Sequence, residues 1–179
     1  MPEDFLSVRE ITIADIPLII NYWQSASAEY LNSIGAAIEK LPSKEAWEQM
    51  LTEQIQFLYK EKKAYCIVWF VNGIAIGHCN VNKIIFGEEA FMHLHVWQQE
   101  KRKKGNGAQL VKMSLPYFFE NLNLKKLYCE PHALNDAPNK TLQHVGFTFI
   151  KEYITTPGAI NFEQPVKQWE LTKEVFLFR

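Results

Sequence analysis

Features typical of secreted or disulfide-stabilised proteins are scarce in this sequence. Only three cysteines occur among 179 residues, Cys66, Cys79 and Cys129, and none belongs to a C-x-x-C pair, so neither a zinc knuckle nor a thioredoxin-type site is supported. Each cysteine lies in an apolar, strand-like segment, which predicts buried free thiols and a reducing cytoplasm. The start of the chain is acidic and no long apolar run follows it, so we expect neither secretion nor insertion into a membrane.

An excess of charge of either sign is also missing. The formal net charge is −1 at pH 7, and the basic residues gather in one short run, 101–104, rather than on a broad face, which argues against nucleic acid as a partner. Hydrophobic residues make up 47% of the chain and charged residues 22%, the proportions of an ordinary globular protein. We therefore expect one ordered domain over residues 1–179.

The spacing of apolar residues predicts a mixed α+β fold. Seven segments have the alternation or the continuous apolar character of strands: residues 5–9, 64–71, 74–85, 90–97, 124–132, 147–155 and 166–176. Four helices are expected, with first residues near Ile16, Ser43, Gly107 and Asn135. The first should run to about residue 33, and Pro116 should kink or divide the third. The Asn72-Gly73 pair predicts a tight hairpin turn, so the sheet should be mostly antiparallel.

A basic segment with two glycines lies between the fourth strand and the third helix: Arg102-Lys103-Lys104-Gly105-Asn106-Gly107. Glycines let the main chain approach a ligand closely, and the first turn of a helix presents unpaired N–H groups at the positive end of its dipole. Such a segment suits a phosphate or pyrophosphate. The alternative is a solvated basic turn.

Two well-known phosphate-binding patterns do not fit this segment. A P-loop requires Lys-Ser or Lys-Thr after its last glycine, whereas Ala108-Gln109 follows Gly107. A dinucleotide fingerprint requires a third glycine at the position of Leu110. Neither a P-loop nor a dinucleotide-binding motif is therefore predicted here.

The pattern that does fit is Q/R-x-x-G-x-G/A, and further along the chain a second pattern, N-x6-L-x3-G-F, is filled by Asn135, Leu142, Gly146 and Phe147. In this order the two patterns resemble those of the GNAT superfamily of N-acetyltransferases, in particular the branch that acetylates ribosomal-protein N-termini. The resemblance spans about residues 5–171. It implies a single GNAT-like domain whose six- to seven-stranded sheet opens between strands 4 and 5, about four flanking helices, and acetyl-coenzyme A (acetyl-CoA) as cofactor.

The resemblance also assigns residues to the cofactor. Main-chain groups of His95, Val96 and Trp97 are expected to bind pantetheine in the opening between the strands. The pyrophosphate is expected on Arg102, Lys103, Lys104, Gly105, Asn106 and Gly107. The Asn135 side chain should contact the pantetheine arm. Asn139 is a further contact or, alternatively, a polar residue on a solvated helix face.

Two positions depart from the family pattern. Leu142 stands where family members often carry a tyrosine that protonates the leaving thiolate. Pro138 stands where a serine is often found. Cofactor binding is therefore better supported by the sequence than a particular general acid.

Histidines are the candidate acids and bases. His93 and His95 share one face of their strand, and His132 ends the strand that borders the expected opening. For all three, proton transfer competes with a structural role. Glu130 would orient His132 or remain a surface charge, whereas His78 carries no positional argument. The H-x-H pair lacks a third ligand nearby in the sequence, so we expect no metal site.

The acceptor pocket is expected between two loops, because loops commonly carry specificity. One is the bend between the first two helices, with Glu29 and Tyr30, and the other is the segment 155–164. An α-amino group with a pKa near 7.8 costs about 1 kcal/mol to deprotonate at pH 7, against about 4–5 kcal/mol for a lysine. A weak base therefore suffices for an N-terminal substrate.

The sequence thus predicts an acetyl-CoA-dependent N-acetyltransferase. It would act on a primary amine of a protein N-terminus or of a small molecule, by direct attack in a ternary complex. We expect a cytoplasmic enzyme, with a homodimer as one possible assembly. The alternative, suggested by Leu142 and Pro138, is a CoA-binding module or sensor without catalysis.

Overall fold

Seven strands form one sheet in the computed structural model, which describes residues 4–97 and 105–178. The strands are β1 (Leu6–Glu10), β2 (Tyr65–Val71), β3 (Ile74–Ile85), β4 (Glu89–Val96), β5 (Lys126–Cys129), β6 (Thr148–Thr155) and β7 (Gln164–Thr172). Their order across the sheet is β1-β2-β3-β4-β5-β7-β6. Neighbouring strands are antiparallel except β4 and β5, which are parallel. The predicted mostly antiparallel sheet is therefore confirmed.

Six α-helices accompany the sheet in the described residues, where about four were expected. They are α1 (Ile16–Gln24), α2 (Ala28–Ser33), α3 (Lys44–Gln56), α4 (Asn106–Pro116), α5 (Asp136–Val145) and α6 (Lys173–Leu177). The start of α3 agrees with the sequence, since Ser43 Oγ accepts a hydrogen bond from Ala46 N–H (3.2 Å) and caps the helix. None of the helices in these parts of the chain is long and apolar enough to cross a membrane.

Three predicted elements were wrong in extent. The strand expected over residues 124–132 forms only over Lys126–Cys129. The first predicted helix is two helices, because Ser27 Oγ accepts a hydrogen bond from Tyr30 N–H (3.1 Å) and starts α2. The last predicted strand ends at Thr172, whose Oγ1 accepts from Val175 N–H (3.4 Å) and starts α6. The expectation that Pro116 kinks or divides the third helix is met by a change of helix type, since Pro116 is the last residue of α4 and a π-helical turn follows it directly.

The predicted hairpin between β2 and β3 is confirmed. Asn72 and Gly73 have positive φ angles of 52° and 78°, the combination of a type I′ turn, whose twist matches that of the flanking strands. Val71 pairs with Ile74 directly across the turn. The turn therefore sets the start of the pairing between β2 and β3.

Each face of the sheet has its own apolar core. One core joins the sheet to α4 and α5, through residues such as Leu110 and Leu142. The other joins it to α1 and α3, through Trp23 and Leu51 among others. Burying one large apolar side chain in such a core contributes roughly 1.5–3 kcal/mol. All three cysteines are buried free thiols, as predicted.

Candidate active site

The sheet opens between β4 and β5. Their parallel pairing ends at Met92 opposite Cys129. Beyond that point the chain bonds to β7 instead, through Lys167 N–H to Pro131 O (3.1 Å), while β4 stays paired with β3 as far as Val96. Pro131 has no N–H with which to bridge back to β4. The predicted opening between strands 4 and 5 is therefore confirmed.

The peptide groups of β4 alternate between β3 and this opening. Trp97 N–H donates to Ile76 O on the β3 side (2.8 Å), so it is already used and the expected contact of the Trp97 main chain with a ligand is corrected. By the same alternation the main chain of His95 faces β3, so its expected contact with pantetheine is corrected as well. The peptide groups of Leu94 and Val96 face the opening. The sequence did not indicate Leu94, because alternation alone does not show which set of residues faces β3.

Helix α4 begins at the two glycines of the basic segment. Gly105 has a φ of +76°, a conformation that other residues rarely adopt. A Cβ built on Gly107 would have, among the described atoms, only Thr141 Oγ1 within 4 Å, at 3.9 Å. The main chain is thus open to close approach at the positive end of the helix dipole, which fits a phosphate group. The predicted contacts at residues 102–104 lie outside the described residues.

Three asparagines expected at the cofactor have different surroundings. Asn106 Nδ2 donates to Asp4 Oδ2 (3.1 Å) beside the start of α4. Asn135 precedes α5, makes no cap hydrogen bond with its side chain and lines the cavity described next, so its amide suits a ligand. Asn139 is buried, donates to two main-chain oxygens (2.8 and 3.1 Å) and accepts from Trp169 Nε1 (2.8 Å). The alternative of a solvated position for Asn139 was therefore wrong, and its amide mainly serves the protein.

A cavity of about 470 Å³ lies beside the opening, under α1 and α3. Four histidines line it: His78, His93, His95 and His132. His78 is opposite His95 on the neighbouring strand, and their rings stack with centroids 4.7 Å apart. The structure thus brings the three predicted histidines together and adds His78. The sequence analysis missed His78 because a single sequence does not show which residues face each other on neighbouring strands.

Burial keeps two of these histidines neutral. It lowers the pKa of His78 to about 3, and the pKa of His93 to about 4 with a smaller contribution from the Lys83 charge. His78 Nδ1 accepts a hydrogen bond from Trp97 Nε1 (2.8 Å), and His93 Nε2 donates to Asn82 Oδ1 (3.1 Å). Both rings are therefore weak bases held by fixed partners.

The other two histidines have different partners. His95 Nδ1 lies 3.3 Å from Tyr22 OH, which in turn lies 2.9 Å from Tyr30 OH. Since Tyr30 also lines the cavity, these groups form a polar chain from β4 to α2. His132 Nδ1 accepts from Leu134 N–H (3.1 Å), which places the proton of its neutral form on Nε2.

Glu130 has neither of the two roles considered for it. The residue is buried, and its carboxylate accepts hydrogen bonds from Gln168 Nε2 (2.7 Å) and from Tyr153 OH. Both expectations for Glu130, orienting His132 or remaining a surface charge, were therefore wrong. The sequence could not show that β6 and β7 supply the donors.

The two expected acceptor loops are joined at Gly35. The Gly35 carbonyl accepts from Phe162 N–H (3.3 Å), Asn161 Nδ2 (2.9 Å) and Gln164 Nε2 (2.9 Å). Its φ is +77°, and a Cβ at this position would overlap the Gln164 amide, so the junction requires glycine. Both loops contribute to the cavity wall, whereas Glu29 lies exposed on α2.

The position of the family's usual tyrosine is apolar, because Leu142 is fully buried in the core under α5. A phenol group in contact with His95 is instead that of Tyr22, which in turn contacts Tyr30. In the parts of the chain that the structure describes, no three His, Cys, Asp or Glu side chains are grouped so as to hold a metal ion.

Known proteins share this architecture. The family described as "Acetyltransferase (GNAT) domain" matches residues 6–148, whereas no curated protein matches the chain. The structure of spermidine N-acetyltransferase from Vibrio cholerae in complex with CoA and spermine is 20% identical, has a TM-score of 0.77, and the match covers 96% of this chain and 98% of that one. The structure of RimL, a ribosomal L7/L12 alpha-N-protein acetyltransferase in complex with coenzyme A, is 13% identical, with a TM-score of 0.76 and 95% of each chain covered.

At these identities the likeness between structures shows a common fold. The family match extends over most of the chain and includes the opening, the start of α4 and the Asn135 to Phe147 pattern. The chain therefore belongs to the GNAT acetyltransferase family, as the two sequence patterns predicted, and is an acyltransferase with acetyl-CoA as its cosubstrate.

Proposed function

We propose that the chain transfers the acetyl group of acetyl-CoA to a primary amine, of a protein N-terminus or a small molecule, by direct attack in a ternary complex. The observation that carries this proposal is the parting of β4 from β5 beside a cavity lined by histidines. Helix α4 packs on one face of the sheet and the cavity lies on the other. Two ligands can therefore reach the opening from opposite faces.

The acyl donor is expected on the α4 side of the opening. The open main chain at Gly105 and Gly107 fits the pyrophosphate. The peptide groups of Leu94 and Val96 would pair with pantetheine as a neighbouring strand does, and the amide of Asn135 would add a side-chain contact. An N–H of the same strand would also polarise the thioester carbonyl and stabilise the oxyanion that develops on it.

The cysteines support direct attack rather than an acyl-enzyme. Cys66 lines the cavity, but burial raises the pKa of its thiol far above the ordinary value. A thiol that stays protonated is a poor nucleophile. The amine itself therefore attacks the thioester carbonyl and forms the C–N bond, and the resulting oxyanion collapses as the C–S bond breaks and the CoA thiolate leaves.

His95 is the base that the geometry favours. A pKa of about 4 makes His93 a poor acceptor for the proton of an ammonium group. A proton taken up at His95 Nε2 can be balanced by the Nδ1 proton moving to Tyr22, while Tyr22 passes its own hydroxyl proton to Tyr30. Tyr30 is partly exposed and would release one proton to solvent. A weak base at the start of this chain suffices when the acceptor is an α-amino group, because deprotonating that group at pH 7 costs only about 1 kcal/mol.

The proposal is tested by measuring thiol release from acetyl-CoA with N-terminal peptides, polyamines and aminoglycosides, alongside calorimetry with CoA. We expect CoA binding and amine-dependent release of thiol, with a large loss of kcat in the His95→Gln variant. Failure to bind CoA at high micromolar concentration would remove the assignment of the site. Tight CoA binding with no turnover across the panel would instead favour a binding module without catalysis.

A further inference from the structure

Lys62 is a buried cation in the wall of the cavity. The residue is 6% exposed and precedes β2. Its Nζ donates to Gln54 O in the last turn of α3, and the ring centroids of Tyr59 and Tyr65 lie 6.0 and 5.8 Å from Nζ. An ammonium group has three N–H donors, so this bond leaves further donors for a ligand.

Lys62 has no ion pair within the described chain, where no carboxylate lies within 4.0 Å of Nζ. The charge of Glu10 acts on it from further away, but Glu10 Oε1 accepts from Tyr59 OH (2.7 Å) and Asn121 Nδ2 (3.4 Å). Burial lowers the pKa of Lys62, and Glu10 partly opposes that shift. A buried charge without an ion partner is unfavourable, so this end of the cavity suits an anion.

A second donor in the cavity wall also lacks a partner. Trp47 Nε1 is buried and has no hydrogen-bond acceptor among the described residues. The carboxylates in the described wall are those of Glu10 and Glu130, and both already accept hydrogen bonds from protein donors. The cavity therefore offers donors to an anionic ligand and presents a cation, Lys62, to any second ammonium group.

The two ends of the cavity are on the order of 10 Å apart. His95 lies opposite His78, which lies opposite Val68 of β2, and two strand spacings plus the step from Val68 to Cys66 amount to roughly 12 Å between Cα atoms. Lys62 lies shortly before Cys66 in the chain. We propose that the acceptor is a primary amine joined by an apolar chain to a carboxylate, with the amine at His95 and the carboxylate on Lys62. This inference rests on the acetyltransferase function proposed above.

The test compares acceptors of one chain length in the wild-type protein. With acetyl-CoA at pH 7, kcat/KM is measured for 8-aminooctanoate, octylamine and 1,8-diaminooctane, which differ only in the group at the far end. We expect 8-aminooctanoate to be preferred roughly tenfold or more, the range of a charge-assisted hydrogen bond. The shorter 4-aminobutanoate should be a poor acceptor, because it cannot span the two ends.

A matched pair of variants then assigns the preference to one side chain. Lys62→Met should raise KM for 8-aminooctanoate roughly tenfold and leave KM for octylamine unchanged. Lys60→Met, at an exposed position in the same turn, should alter neither. Lys62 also binds the end of α3, so thermal unfolding is followed as well. If Lys62→Met does not fold, the wild-type comparison still decides the question.

The outcomes separate this inference from the proposed function. Equal kcat/KM for the three long acceptors, or a preference for octylamine or the diamine, would overturn the carboxylate assignment while turnover itself upheld acetyl transfer. A wild-type preference that survives in Lys62→Met would also overturn it. Failure to bind CoA together with no turnover of any amine would instead remove the proposed function.

Discussion

Gly107 offers the sharpest test of the pyrophosphate site. Its φ is not in the left-handed region, and a Cβ there would meet no described atom closer than Thr141 Oγ1 at 3.9 Å. The described part of the protein therefore accommodates a side chain at this position. Replacing a helical glycine by alanine usually stabilises by about 0.5–1 kcal/mol, and valine recovers part of that gain. Gly107→Val should thus fold with a free energy of unfolding within about 1 kcal/mol of the wild type.

The same substitution should damage CoA binding. A valine side chain would occupy the space that a phosphate needs in order to reach the N–H groups of the first turn of α4. Losing one hydrogen bond to a charged group costs about 1.5–3 kcal/mol, so Kd for CoA in calorimetry should rise roughly tenfold to a hundredfold. Gln109→Val places the same side chain at an exposed position of the same helix and should leave Kd unchanged.

One result would refute this reasoning. If Gly107→Val binds CoA with the wild-type Kd while Gln109→Val does too, the ligand does not approach the main chain at the start of α4. Urea denaturation of both variants shows in the same experiment that the proteins are folded. A Gly107→Val protein that loses CoA binding and is strongly destabilised would contradict the open space found around Gly107.

Three further predictions concern separate hydrogen-bonded groups: the chain from His95 to Tyr30, the Asp15 carboxylate and the His93 ring. Tyr22→Phe should lower kcat roughly tenfold and leave Kd for CoA unchanged, because it breaks the chain between His95 and Tyr30; an unchanged kcat and pH profile would exclude that chain from proton transfer. Burial raises the pKa of Asp15, but the hydrogen bonds from Arg9 (2.6 and 3.0 Å) and Thr12 outweigh it and hold that pKa below its ordinary value. Asp15→Asn should therefore lower the free energy of unfolding by about 2 kcal/mol at pH 7. The ionised Asp15 carboxylate stabilises the wild type fully only above about pH 4, so the difference between the two proteins in urea denaturation should shrink below that pH. A difference that persists to pH 2 would contradict the assignment. With its pKa at about 4, the His93 imidazole should show no NMR titration between pH 6 and 8, and an inflection near pH 6.5 would show that it is not held neutral by burial.

Local chemistry made much of this fold predictable. The Asn72-Gly73 turn and the left-handed Gly146 at the end of α5, with a φ of 92°, follow from conformations that few other residues adopt. The glycines of the basic segment and the later Asn135 pattern led to the correct family. These signals are short-range, so one sequence displays them in full.

Long-range hydrogen bonds explain what the sequence did not reveal. His78 became a site residue only when β3 placed it opposite His95. Glu130 is held by Gln168 on β7, and the direction of the peptide groups in β4 depends on the bond from Trp97 to the β3 side. None of these pairings leaves a local pattern, because each joins residues that are far apart in the chain.

The three hydrogen bonds at the Gly35 carbonyl bear on efforts to redirect the enzyme to new acceptors. Grafting a foreign 155–164 segment alone would remove the Asn161 and Gln164 side-chain donors. The Gly35 oxygen would then keep only the longest of the three bonds, from the main-chain N–H at position 162. Swapped libraries should therefore carry both segments together, with glycine retained at position 35. Chimeras that take the two segments from different proteins would mostly fail to form the contact at Gly35 that joins the two loops of the cavity wall.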